Sequence, residues 1–205
     1  MGLPKLTYIS PIFRDNNLRV FFVNPDGKEY HVHRKLLRHY STYFNKLPTG
    51  EQELTVDNDT FEDFVDWLYT QQLCSKMLSS SDPQVLATYF HGRLIALMDL
   101  YIFGHAYDVP LLRQDALVEI HRICFQNTST VEMPLAAIIK AFESLPSSCV
   151  MLEYLVDAFT LQFKRRSFTA DQISLFEQLP SRFKTRVMLA LGSVLKVHGY
   201  NLTPN

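Results

Sequence analysis

With 205 residues, 47% of them hydrophobic, the chain can bury one good core or two modest ones, and its composition excludes a disordered polypeptide. Lys plus Arg number 20 against 21 Asp plus Glu, a formal net charge of −1, so no global field draws in nucleic acid or an anionic membrane.

Residues 1–17 hold Pro4, Pro11, Asn16 and Asn17 around Leu6, Tyr8 and Ile9, an arm with room for one short strand. Val20 to Val23 is a β-branched and aromatic run, and Asn24, Pro25, Asp26 and Gly27 follow as a turn cluster, which predicts a hairpin. On the return strand Tyr30 and Val32 alternate with His31 and His33, making one face apolar and the other imidazole. Leu36, Leu37, Tyr40, Tyr43, Phe44 and Leu47 recur at helical spacings, with Ser41 placed to cap a second short helix. Pro48, Thr49 and Gly50 break that helix, and Glu53 to Val56 reads as a short strand. Asp59, with Glu62 three residues on, suggests a capping box opening a helix through Phe61, Phe64, Val65 and Leu68.

The serine-rich segment 74–83 is expected to be a loop, at whose end Asp82 can cap and Pro83 can occupy a first helical turn. Val85 to Phe103 is helical in pattern, with Gly92 a candidate interruption, and Pro110 opens a helix carrying Leu111, Leu112, Leu117 and Ile120. From about residue 128 no strand pattern occurs, and Ser147–Ser148, Ser167–Asp171 and Pro180 separate three or four helices. Leu152, Leu155, Val156, Phe159 and Phe163 form one apolar stripe, and Phe183, Val187, Ala190, Leu191, Val194 and Leu195 another. Either stripe alone would expose a greasy face, so the two are expected to pack on each other and on the helices before them.

The first residues lack a basic stretch followed by a long apolar run, and no segment has about 18 uninterrupted apolar residues, so neither a signal peptide nor a membrane span is expected. Cys74, Cys124 and Cys149 are odd in number and far apart, which fits a reducing compartment and an intracellular protein, cytoplasmic or nuclear.

Three blocks resemble the BTB/POZ domain family. The first is LRVFFVNPDGKEYHVHRKLLRHYSTYFNKL, in which Tyr30, Val32, His33, Leu36, Leu37, Ser41, Tyr43 and Phe44 match the family pattern. The second is TFEDFVDWLYTQQL, whose Phe61, Phe64, Trp67, Leu68 and Tyr69 are similar to the helix ending in a WLY-type signature, most like BTB proteins of filamentous fungi. The third, LIALMDLYIFGHAYDVPLLRQDALVEI, resembles the family's closing helix pair. The resemblance implies an α+β BTB/POZ fold, a short three-stranded sheet covered by helices, over residues 18–127. An N-terminal arm, 1–17, precedes it, and an all-α, BACK-like extension, 128–205, follows.

It further implies a non-catalytic interaction module, a homodimeric scaffold that recruits other proteins. Leu6, Tyr8 and Ile9 of the arm, with Leu36, Tyr40 and Tyr43, are the expected dimer interface. Tyr30, Val32, His33, Leu37, Ser41, Phe44 and Trp67 are expected to be structural signature residues. The alternative is a substrate adaptor for a cullin-type ubiquitin ligase, with Leu47, Glu51 and Glu53 facing the cullin. Such adaptors carry a hydrophobic residue, any residue, then an acid, and Glu51, Gln52 and Glu53 supply the acid without the hydrophobic partner. Family members that recruit co-repressors pair a first-strand acid with a basic residue after the histidine. Arg34 supplies the base, but Leu18 and Arg19 stand at the acid's place and Asp15 lies upstream.

Other chemistries are weaker readings. His31 and His33 could supply two metal ligands, but no third is near. His121 and Cys124 lie at i, i+3, a spacing commoner for a buried cysteine than for a thiolate pair, and no GxSxG, HExxH or phosphate-loop pattern occurs. Lys164, Arg165 and Arg166, flanked by phenylalanines, read as the basic end of a helix rather than a nucleic-acid contact. Trp67 reads as core rather than hot spot. No catalytic residue, metal, cofactor or membrane partner is expected.

Overall fold

In the computed structural model, residues 17–23, 27–48, 50–73, 82–126, 131–162 and 170–197 are described. They divide into two compact units, one from residues 1–81 and 96–121, the other from 82–95 and 122–205.

The first unit is built on the hairpin. Strand β1 (Leu18–Val23) pairs antiparallel with β2 (Lys28–His33), from Leu18 opposite His33 to Val23 opposite Lys28. Gly27 enters β2 at φ 64°, a left-handed conformation that a Cβ disfavours. The third strand, β3 (Gln52–Leu54), runs parallel to β1 on its other side, giving the order β2-β1-β3. It starts and ends earlier than the expected Glu53 to Val56, because its register places Leu54 opposite Val23, where β1 stops. Among the described residues no strand pairs with it beyond that point, and Val56 packs half-buried against the core.

Helices α1 (Arg34–Tyr40), α2 (Thr42–Lys46) and α3 (Asn58–Thr70) cover the sheet. The core joins Phe21, Val23 and Val32 to Leu36, Leu37, Tyr40 and Phe44, then to Phe61, Phe64, Trp67 and Leu68. It is aromatic at its centre: Phe21 meets Phe44 edge-on at 5.6 Å between centroids, and Tyr40 meets Trp67 at 5.4 Å. The α3 cap is Asp57 rather than Asp59: its Oδ1 accepts from the Thr60 amide at 2.8 Å, and its Oδ2 accepts from the Thr60 hydroxyl at 2.7 Å. Thr60 thus gives Asp57 two bonds, and Asp59 falls in the first turn, where a negative charge suits the dipole. Glu62 then reaches to β2 instead of back to a cap, accepting from Lys28 and from the Tyr30 hydroxyl.

Helix α4 (Pro83–Ala106) runs through Gly92 without a break, and Asp82 caps it through the Gln84 amide at 2.8 Å. Its stretch Gln84–Ala106 is long and apolar enough to cross a membrane by length and composition, although charged and polar residues interrupt it. Leu100 and Phe103 use that apolarity inside the core of the first unit. Helix α5 (Pro110–His121) completes the unit. Gly104 lets the two helices meet closely: a Cβ there would lie 2.9 Å from Arg113 Cγ and 3.3 Å from the Val109 carbonyl oxygen.

Among the described residues the regular elements of the second unit are all helices. A π-helical turn (Arg122–Gln126) precedes α6 (Leu135–Ser144), α7 (Val150–Gln162), α8 (Ala170–Gln178) and α9 (Ser181–Val197). The two apolar stripes meet as expected where they are described: Phe159 of α7 and Phe183 of α9 stand edge-to-face at 5.2 Å, and Phe142 of α6 meets Phe183 at the same distance. Phe163 and the side chains of Val194 and Leu195 lie outside the described residues. Gln162, buried at the end of α7, donates to the Val131 carbonyl at 3.0 Å and accepts from the Met133 amide at 3.4 Å, fastening the segment before α6.

Candidate protein interaction surface

The corner between α1 and α2 is set by one serine. Ser41 holds extended backbone at φ −136°, closing α1, while its Oγ accepts from the Phe44 amide at 2.9 Å and donates to the Tyr107 carbonyl at 2.6 Å. The cap expected from sequence is present, and its second bond ties the corner to the chain after α4. The corner turns Tyr40 and Phe44 inward and leaves Tyr43 outward, 41% exposed, its ring edge-on to Phe44 at 5.5 Å and to Tyr107 at 5.2 Å. Around it Arg38, His39, Thr42, Asn45 and Lys46 are exposed.

Two of the residues expected at a dimer surface face inward. Leu36 and Tyr40 are each 2% exposed and belong to the unit's own core, so they retain almost no side-chain area to bury against a second copy. Two short helices do bury most of their rings, because Trp67 and Tyr107 supply ring faces from outside the helix pair. Tyr43 is the member of that trio with free surface. Leu6, Tyr8 and Ile9 lie outside the described residues. Leu47 is half-buried against the core, and Glu51 and Glu53 are exposed at the start of β3.

The chain between α2 and β3 is held by a residue that sequence reasoning did not single out as a site. Arg19 faces inward with Phe21 and Val23, at 3% exposure, and its Nη2 donates to the Leu47 and Pro48 carbonyls at 3.2 and 2.6 Å. Its Nη1 is buried without a hydrogen-bond partner among the described residues, as is Nε of Arg34. Burial, then the nearby Arg34 and Arg38 cations, pull the Arg19 pKa below its ordinary value. A cleft of about 200 Å³ opens here, lined by Asn17, Leu18, Arg19, Val20, Arg34, Gly50 and Glu51. The legible signal was the period of two, since an arginine at the first inward position of a strand needs carbonyls or anions to receive it.

The signature residues sit at structural junctions. Val32, Leu37, Ser41, Phe44 and Trp67 are buried, and Trp67 donates through Nε1 to Asp115 of α5 at 3.0 Å. His33, partly buried, meets the Tyr69 hydroxyl through Nδ1 at 2.6 Å, and its amide donates to the same oxygen at 3.1 Å. Tyr30 bonds Glu62, whose carboxyl is held below its ordinary value by the Lys28 and Tyr30 hydrogen bonds. His31 is exposed and pairs with Glu29 at 2.7 Å. Among the described residues no cluster of three metal-type ligands occurs. Cys124 is fully buried in the π-helical turn, whereas His121 is exposed. Burial, with Cys124 close by, pushes the Tyr154 phenol pKa up. The Lys164–Arg166 run lies outside the described residues.

A hairpin carried into two short helices, a parallel third strand and an aromatic helix closing over them form the sheet-and-helix architecture expected from sequence. No curated protein matches the chain. Comparison with family models matches residues 14–94 to the BTB/POZ domain, a protein–protein interaction module.

Proposed function

We propose that the protein is a homodimerising scaffold that recruits partner proteins through its BTB/POZ domain. The observation that carries this reading is the family match over residues 14–94, a span that contains Tyr43 and its exposed polar surround. A half-exposed tyrosine backed by buried rings suits an interface centre, because its orientation is already fixed and little side-chain freedom is lost on docking. The interface is then the arm residues Leu6, Tyr8 and Ile9 with Tyr43, while Leu36 and Tyr40 shape the surface from below.

The test is co-expression of two copies carrying different affinity tags. Co-purification that is lost with Tyr43→Glu or with removal of residues 1–14 is expected, and two tags that never co-purify would overturn homodimerisation. A second reading, the cullin adaptor, is favoured by one observation: Glu51 and Glu53 are both exposed beside the half-buried Leu47. Retention of a purified cullin by the wild type, lost on Glu53→Lys, would support it; no retention would remove it.

A further inference from the structure

We propose that the groove between α7 and α9 is a docking site for an amphipathic helix of a partner protein, anchored by a lysine of that helix. The groove lies on the second unit, outside residues 14–94, and the inference goes beyond the scaffold reading without depending on it. A cleft of about 300 Å³ opens between the two helices, lined by Glu153, Val156 and Asp157 of α7 and by Arg186 and Leu189 of α9. Its lining is of two kinds. Val156 is buried and gives an apolar floor, and Leu189 stands beside the cleft with 70% of its surface exposed. Glu153 and Asp157 are exposed carboxylates one helical turn apart, a pair that repels within its own helix until a cation is brought to it.

Among the described residues neither acid is paired with a cation: the ion pairs there are Lys28 with Glu62 and His31 with Glu29. Arg186 lines the cleft, yet its Nη2 donates to the Ser147 carbonyl at 3.1 Å. Two carboxylates against one guanidinium leave the lining net negative, which selects a cationic occupant over an acidic peptide or a nucleic acid. The surface continues beyond the cleft. Val150, Glu153, Asp157 and Leu161 recur at i, i+3, i+7 and i+11 on one side of α7, and Val150 and Leu161 are both exposed. Two acids are thus bracketed by two apolar side chains over about 16 Å, the length of three helical turns. The complement of that stripe is a helix with apolar residues on either side of a cation. Lysine fits better than arginine. Its unbranched stem can lie along Val156 and Leu189, and its ammonium can divide three donors between carboxylates a turn apart, whereas a planar guanidinium fork matches one carboxylate.

The test uses the full chain with ¹³C-labelled leucine and valine methyl groups. It is titrated with an alanine-based helical peptide bearing two leucines and, between them, one lysine on a single face, and with the arginine and acetyl-lysine twins of that peptide. Saturable movement of the Leu189 and Val156 methyl signals by the lysine peptide is expected, weaker with the arginine twin and lost with the acetyl-lysine twin. Affinity should fall about tenfold when Glu153→Gln and Asp157→Asn are combined, the scale of two partly exposed ion pairs. Both side chains are exposed, so the double variant keeps the fold. Absence of saturable shifts, equal binding by the acetyl-lysine twin or by the double variant, or tighter binding of the arginine peptide would overturn the proposal. So would a tenfold gain in affinity on replacing Lys164, Arg165 and Arg166 by alanine, which would assign the cleft to the chain's own basic run.

Discussion

The inner face of β1 has two ends built on opposite principles. At one end Phe21 and Val23 are wholly buried among Phe44, Phe61 and Leu54, and every contact is apolar and mutual. At the other end Arg19, two residues earlier on the same face, is buried against two carbonyls with an N–H unmet among the described residues. Among the described residues the apolar end is mutually packed, while the cationic end keeps a donor without an acceptor. One strand thus anchors the apolar core and, at its start, ties the chain between α2 and β3 through a cation.

The comparison can be broken most forcefully at its apolar end. Phe21→Ala should cost about 3–5 kcal/mol, because the ring touches others on several sides and the cavity cannot collapse onto a sheet; chemical denaturation would read it. Arg19→Met should cost less, about 1–3 kcal/mol, from the two carbonyls it leaves without a donor, partly offset by removing a buried charge. If Arg19→Met proved as damaging as Phe21→Ala, the polar end would be structural first. Ser41→Ala should cost about 1–2 kcal/mol in the same assay, since one side chain both caps α2 and bonds the Tyr107 carbonyl.

The smallest effect is at the surface tie between β2 and α3. Glu62 is half-exposed, and its carboxyl is held low by hydrogen bonds from Lys28 and then Tyr30. A carboxyl with a depressed folded pKa stabilises the fold above its unfolded value, about 4.3, and that contribution is lost as pH falls through the lower folded value. Glu62→Gln should therefore lower the Tm slightly at pH 7, with the difference fading on the acid side; a difference that grew on acidification would contradict the sign.

Much of the fold was legible because its signals are local. Strand period, turn cluster, Ser41 cap and the helical spacing of Phe61, Phe64 and Leu68 each act within a few residues. The misplaced features needed a partner from elsewhere. Two short helices are too small to cover the rings of Tyr40, Tyr43 and Phe44 by themselves, but Trp67 lies twenty-seven positions after Tyr40 and closes over that ring. Asp57 displaced Asp59 because the Thr60 hydroxyl adds a second bond. β3 was placed late because its register depends on where β1 ends. Tyr43 was readable only as one of six interface residues implied by the family resemblance, and the setting of Arg19 depends on carbonyls twenty-eight and twenty-nine residues away.

The central claim is that this chain works by joining copies of itself through a surface centred on Tyr43, and sedimentation equilibrium of the wild type and Tyr43→Glu over a wide concentration range tests it most directly. The account predicts a wild-type mass rising towards two copies of the 23.8 kDa chain and a variant that stays at one, with its far-ultraviolet spectrum and Tm unchanged. A wild type that remains at one copy throughout, or a variant that associates as strongly, would contradict it.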